Sequence, residues 1–368
     1  MEKVNIAFII YELGSGGQEK QMSLAVKSLL DNNVKPLLFI WNGDKNITQD
    51  YDLLSIGIKV IRLRGNFLSK VFQIRKVLYS KEIDIFQSWS ILMNVITFFC
   101  SLNNTTHPIA ALRSQLFGKY IDKNNIFNNI KIFPQLIFTK NIICNNSDGA
   151  SQLNQFYEKL PLINKNVYIL RNRSFIPKFK AQKKEKGKII TISCSSLLPN
   201  KNIGFIVSVI SNLIQKFPNI IHYHFGKEHD DKTTITNHLN NLIKKKKLTK
   251  NFFLCGEKKS LDNYYLSSDL FIHASNIEGT PNSILEAISY GLPIISSNWG
   301  TDANHYVIDN YNGFVLNDFD INNWTKNIFR ILENKDKLSK NSLRLAKQKI
   351  DFNLLYKDLE NIYYKILK

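Results

Sequence analysis

A chain of 368 residues, 44% of them hydrophobic, is too long for one ordinary core and apolar enough to build two. Its net charge of +19 favours anionic partners, although a surplus of Lys, Asn and Ile also follows from base composition. The four cysteines are widely separated, lack metal-ligand spacing and read as buried thiols of a reducing compartment, and the longest apolar run, residues 91–100, falls far short of the roughly 20 residues that span a bilayer.

Residues 4–10 follow Glu2 and Lys3 as a short apolar run without a small-residue cleavage site, so a first β-strand explains them better than a signal peptide. Gly14, Ser15, Gly16 and Gly17 come next, then a helix over residues 18–30 with Met22, Ala25, Val26, Leu29 and Leu30 on one stripe. This loop lacks the G-x-G-x-x-G spacing of a dinucleotide site and the Lys-Ser/Thr ending of a P-loop, so it reads either as a phosphate loop or as a tight strand-to-helix turn. Further strands are predicted over residues 36–41, 58–63, 83–87, 108–112, 142–144 and 167–170, alternating with helical segments. That rhythm predicts a doubly wound parallel sheet. Along it, Trp89 reads as core or as a sugar platform, and Arg113 as an anchor for an acceptor phosphate or as a surface ion pair. Residues 116–140 mix aromatics with lysines, a composition that suits a membrane surface or a lipid-linked acceptor as well as an amphipathic helix packed on the sheet.

Arg171, Asn172 and Arg173 and the charged run after them mark a linker. The expected division is residues 1–176, a linker over 177–187, a second domain over 188–350 and a closing helix over 351–368. The second domain opens with a strand over residues 189–194, then Ser195, Ser196 and Lys201 lead into a helix ending at Lys216. Strands over 221–225 and 252–254 follow, with a lysine cluster, residues 244–247, at a helix C-terminus where cations are favoured. Residues 269–302, DLFIHASNIEGTPNSILEAISYGLPIISSNWGTD, then read as strand, loop, helix over about 281–290, glycine stop and strand. In parallel sheets ligands bind beyond the carboxyl ends of the strands, and that edge here carries Glu278, Gly279 and the helix start. Glu278 reads as a site acid or a solvated loop acid, and Ser283 with Glu286 also fits a capping box. Asn312 and Gly313 read as a turn, and the adjacent pair Asp230 and Asp231 reads as a loop, so no metal is required.

The nonapeptide EGTPNSILE, continued by AISYGLPII, resembles the E-x7-E signature of the retaining, family-four glycosyltransferases of the GT-B fold. The resemblance implies an α/β architecture of two Rossmann-like domains facing across a cleft, with the acceptor bound by the first and a nucleotide-sugar donor by the second. It implies that Glu278 lies by the donor sugar, that the backbone of Gly279, Thr280, Pro281 and Asn282 touches sugar and phosphate, and that Glu286 holds the ribose. Gly16 and Gly17 would face the donor, Lys201 would bind its diphosphate, and Asn172 would lie at the hinge with Arg171 and Arg173 turned to the cleft. Three departures stand out. Ser196 occupies the place of the arginine in the family's G-R-L-x-x-x-K motif; no histidine stands by Trp89 or Asn94, two positions that still match a bacterial pattern; and His305 replaces a common glutamate.

The resemblance implies a metal-independent, retaining transfer, with Glu278 and Lys201 as the catalytic pair and no cofactor beyond the nucleotide-sugar co-substrate, expected to be a UDP-sugar. The expected acceptor is a glycan or a polyprenyl- or lipid-linked intermediate in capsule, O-antigen or lipopolysaccharide assembly. The cytoplasm is the expected place, with an anionic membrane surface on its inner face as a partner. A catalytically silent sugar-nucleotide or glycan binder on the same fold is the alternative. The basic residues form no motif of a nucleic-acid reader, so no nucleic acid partner is expected.

Overall fold

The computed structural model describes residues 4–14, 16–43, 57–116, 126–160, 162, 164–178, 187–228 and 234–368. The chain forms two units, one of residues 1–173 and 352–368, the other of residues 174–351. The first crossing lies at Arg173 and Ser174, slightly earlier than the sequence suggests, because the Ser174 N–H donates to Ile350 O (2.9 Å) and Ser174 bridges to Asp351. The linker expected over residues 177–187 lies mostly outside the described residues.

The first unit holds a seven-stranded sheet in the order β3-β2-β1-β4-β5-β6-β7, built from β1 (Ile6–Ile10), β2 (Leu37–Ile40), β3 (Lys59–Arg62), β4 (Ile85–Ser88), β5 (His107–Leu112), β6 (Asn141–Cys144) and β7 (Asn166–Ile169). Every pairing is parallel, with Ile6 opposite Ile85 and Ala7 opposite Leu37. Strand alternation sends Ile6, Phe8 and Ile10 to one face, where helices Gly17–Asp31 and Leu355–Leu367 cover them. Ala7 and Ile9 turn to the other face, under helices Phe67–Ser80 and Asn94–Ser101. Helices Ile126–Ile137 and Ser147–Glu158 continue that second layer over β5 and β6. The C-terminal helix is tied in by polar contacts as well, since Tyr363 Oη donates to Gln87 Oε1 (2.7 Å) and Asp358 pairs with Arg173.

The second unit repeats the architecture with six parallel strands in the order β10-β9-β8-β11-β12-β13: β8 (Ile189–Cys194), β9 (Ile220–Phe225), β10 (Phe252–Leu254), β11 (Leu270–His273), β12 (Ile294–Ser297) and β13 (Gly313–Leu316). Helices Ile203–Leu213, Thr234–Lys245 and Ile321–Glu333 pack on one face, and Asn282–Ser289 packs on the other. The sequence reading took Asn312 and Gly313 for a turn and missed β13. Gly313 instead opens a strand whose neighbour runs so close that a Cβ there would lie 1.9 Å from Ile294 O. Strand order reverses between β8 and β11, and at such a switch point the loops leaving the two strands diverge and leave room for a ligand.

Four polar side chains inside this sheet bond to one another, and only His224 Nε2 among their atoms is left without a partner. Thr191 Oγ1 lies 2.8 Å from His222 Nδ1, and Ser193 Oγ bridges His222 Nε2 (2.8 Å) and His224 Nδ1 (2.7 Å). Burial pushes both imidazoles down, His224 to about 4, with His224 adding to the depression of His222. A histidine neutral when folded but free to protonate when unfolded contributes stability above its ordinary value of 6.5, and that contribution is lost as pH falls toward 4. Two of the seven imidazoles are therefore expected to keep neutral-form NMR shifts at about pH 5, with the urea midpoint falling across this window; titration of all seven at ordinary values would contradict it. A second test concerns Gly226, whose φ of +137° and whose place beside Ser195, 1.9 Å from any added Cβ, exclude a side chain. Gly226→Ala is expected to cost at least about 2 kcal/mol in denaturant unfolding, against near-neutrality if the loop simply yields.

Candidate active site

Two loops at the switch point of the second unit build the site. After β8 the chain runs through Ser195 and Ser196, turns in a short 3-10 segment, Pro199–Lys201, and enters helix Ile203–Leu213. Asn202 makes the junction in the left-handed region (φ 51°, ψ 39°), a conformation asparagine tolerates better than most residues. Its side-chain amide donates to Ala274 O (3.0 Å) and to Asn276 Oδ1 (2.7 Å), both in the loop that follows β11. The Asn276 N–H donates to Asn200 O (3.0 Å), and Ser297 Oγ donates to Ser275 O (2.6 Å). Hydrogen bonds between the loops thus set where their functional side chains meet.

Those side chains are Lys201, Glu278 and His273. Lys201 Nζ lies 2.5 Å from Glu278 Oε1, with the two side chains 15% and 17% exposed, and His273 Nε2 lies 3.4 Å from the same oxygen. Burial alone would push the Glu278 carboxyl up, but His273 and Lys201 together outweigh it and hold it down at about 2. Glu278 is therefore an anion at neutral pH, and the solvated-acid reading is set aside. Sequence analysis missed His273. It ends a buried strand at the carboxyl edge of the sheet, and a polar residue closing an otherwise apolar run was the available signal. Its ring packs edge-on against buried Trp299, with centroids 5.2 Å apart.

The loop continues through Gly279, Thr280 and Pro281 into helix Asn282–Ser289. Pro281 stands at the N-cap without a side-chain cap hydrogen bond, so Ser283 lies inside the helix and the capping-box reading of Ser283 and Glu286 does not hold. Glu286 Oε2 instead accepts from Tyr265 Oη (3.1 Å). Tyr265 is stacked on Tyr290 at 5.0 Å, and Tyr290 Oη donates to Asp262. Burial, reinforced by the negative charge of Glu286, pushes the Tyr265 hydroxyl well up, so it stays a protonated donor. Ser196, where the resemblance leads one to expect arginine, is half-buried beside Leu197, whose N–H donates to Lys227 O (3.0 Å).

The remaining predicted residues belong to the first unit. Gly16 is the N-cap of helix Gly17–Asp31, and a Cβ on it would meet Glu19 Oε2 at 2.3 Å. Trp89 is buried in the core, edge-on to Phe8 at 5.4 Å, and the Arg113 guanidinium stacks on its indole at 4.8 Å. Arg113 Nη2 also donates to Asn172 Oδ1 (3.0 Å). Asn94 is fully buried: its amide donates to Ala111 O and Gln135 O, each at 3.1 Å, while its carbonyl accepts from Ser88 Oγ and the Ala111 N–H. Asn94 thus joins helix Asn94–Ser101 to β5 and to the next helix. Arg171 donates to Ser147 Oγ (2.8 Å) and Arg173 pairs with Asp358, so both arginines that the resemblance turns to the cleft have partners within their own unit. His305 lies on helix Ala303–Tyr306, and its backbone carbonyl accepts from Lys349 Nζ (3.2 Å). Asp230 and Asp231 lie outside the described residues.

Residues 175–349 match the family model described as Glycosyl transferases group 1. Along nearly its whole length the chain is similar to the capsular polysaccharide biosynthesis glycosyltransferase CapH of Staphylococcus aureus, with 24% identity over 98% of both chains. A shorter match, 35% identical over 24% of this chain and 22% of the relative, is to the Escherichia coli UDP-Gal:alpha-D-GlcNAc-diphosphoundecaprenol alpha-1,3-galactosyltransferase. Among solved structures, Anabaena Alr3699/HepE in complex with UDP and glucose superposes with a TM-score of 0.80 at 16% identity, over 97% of this chain and 98% of that one. The family match spans almost all of the second unit, which is thereby similar to the glycosyl transferases of group 1, and the two parallel sheets are those of the GT-B fold.

Proposed function

We propose that the protein is a retaining, metal-independent glycosyltransferase that moves a sugar from a nucleotide-sugar donor, a UDP-sugar, to a glycan or lipid-linked acceptor in bacterial surface polysaccharide assembly. The observation that carries this reading is the Lys201–Glu278 pair at the carboxyl edge of β8 and β11, beside a helix start. As the bond from the anomeric carbon to the diphosphate breaks, negative charge builds on the phosphate oxygens. Lys201 and the backbone N–H groups of Gly279, Thr280 and Asn282 stabilise that charge, and Glu278, held ionised, orients the sugar hydroxyls. Glu286, steadied by Tyr265, holds the ribose. The acceptor attacks on the face the phosphate leaves, and the departing phosphate takes the acceptor proton, which preserves the anomeric configuration.

The donor assignment draws support from the UDP and glucose named for the Anabaena structure. The acceptor assignment draws on the capsular role printed for the S. aureus relative and the diphosphoundecaprenol acceptor printed for the E. coli enzyme. Ser196 favours one second reading, a silent nucleotide-sugar binder, because a serine cannot supply the bidentate phosphate clamp of an arginine.

Mass-spectrometric detection of released nucleoside diphosphate and transferred sugar, over a panel of nucleotide sugars with lipid-linked acceptors, separates the two. Glu278→Gln is expected to lower kcat by about 100-fold or more while UDP affinity stays within about threefold. Lys201→Ala is expected to weaken UDP binding about tenfold and to lower kcat as well. UDP binding without turnover on any acceptor would favour the silent binder. Tyr265→Phe removes one buried hydrogen bond to a carboxylate, so donor KM is expected to rise about three- to tenfold with kcat little changed; an unaltered KM would remove Glu286 from the ribose role.

A further inference from the structure

The outer face of the helix layer on the first unit carries apolar side chains that the fold leaves uncovered. On helix Phe67–Ser80, Ile74 and Leu78 are buried against the sheet, whereas Leu68, Phe72 and Tyr79 are 74%, 69% and 80% exposed. At 100° per residue these three share one flank with Arg75. Arg75 fixes which way that flank looks, since its Nη1 donates to Phe99 O (2.9 Å) on helix Asn94–Ser101. Phe99, itself exposed, begins an aromatic ridge. Phe98 stacks on Phe138 at 5.3 Å and Phe99 meets Phe138 at 5.5 Å, which carries the apolar surface to the C-terminal end of helix Ile126–Ile137; nearer the start of that helix Ile130 is 62% exposed. The stripe therefore continues over three adjacent helices.

Its charge has one sign. None of the three helices contains an aspartate or glutamate, while Lys70, Arg75, Lys76 and Lys131 are spread among them. An apolar ridge whose three helices carry charge of one sign, positive, matches the surface of an anionic bilayer, where rings and aliphatic chains enter the headgroup boundary and lysines meet lipid phosphates. A second copy of this face would set cation against cation. Among the described residues no helix is long and apolar enough to cross a membrane, so the contact is one of lying on the surface.

We propose that this three-helix face is the docking surface for an anionic phospholipid bilayer. It extends beyond the aromatic and basic segment legible in the sequence, residues 116–140, because helix Phe67–Ser80 supplies its most exposed apolar side chains. The proposal rests on the reading that the acceptor is carried by a lipid, and it places the first unit against the surface in which such an acceptor is embedded.

The full chain is sedimented with phosphatidylglycerol-containing vesicles and with pure phosphatidylcholine vesicles. The expected result is binding to the first, little to the second, and weakening as salt rises. Leu68→Ser combined with Phe72→Ser and Tyr79→Ser is expected to lower partitioning at least about tenfold, and Lys76→Glu with Lys131→Glu to do the same by charge alone. The circular-dichroism melt and UDP affinity of both variants should match those of the parent, because every altered side chain is exposed and none belongs to the donor site. Equal binding to both vesicle types, no binding at all, or full binding by the two variants would each overturn the docking surface. UDP affinity measured without vesicles fails independently if the donor site is misassigned.

Discussion

The ion pair between Lys201 and Glu278 organises the second unit's working edge. Two opposite charges less than one-fifth exposed are costly to hold without each other, so the loops that carry them must arrive together. Asn202 meets that requirement by bonding across to Ala274 and Asn276, and the left-handed turn it adopts brings Lys201 back over the sheet edge. His273, packed edge-on against buried Trp299, stands beside the pair.

Strand order explains why these particular loops meet. A parallel sheet delivers all its carboxyl ends to one edge, and the reversal between β8 and β11 opens a gap there. The first unit has the same reversal between β1 and β4, with Gly16, Gly17 and Trp89 following those two strands. The polar groups there serve the fold. Asn94 has its amide and carbonyl engaged, Arg113 is shared between Trp89 and Asn172, and Arg173 anchors the returning helix Leu355–Leu367 through Asp358.

Polar residues inside the second sheet show the same economy in another form. Thr191, Ser193, His222 and His224 occupy positions where aliphatic side chains would be ordinary, and each finds its partner on the adjacent strand. Burial disfavours the charged form of both imidazoles, which links the second unit's stability to pH.

Sequence alone determined much of this. The alternation of apolar runs with helical stripes specified two parallel-sheet units, because buried parallel strands require continuous hydrophobic runs and crossover helices require one apolar face. The spacing of Glu278 and Glu286 around a helix start pointed to the edge where the Lys201–Glu278 pair forms. Tertiary structure decided the rest, since the deciding contacts join residues far apart in the chain. Glu278 is a buried anion because His273 and Lys201, the latter 77 residues earlier, both close on it. Glu286 faces Tyr265 because the helix begins at Asn282, which moved Ser283 out of the capping position. His273 looked like the end of a strand until Glu278 was seen beside it, and Gly313 looked like a turn until the proximity of Ile294 gave the glycine its reason. Periodicity records which side chains are buried, whereas their partners are set by how the sheets and helices pack.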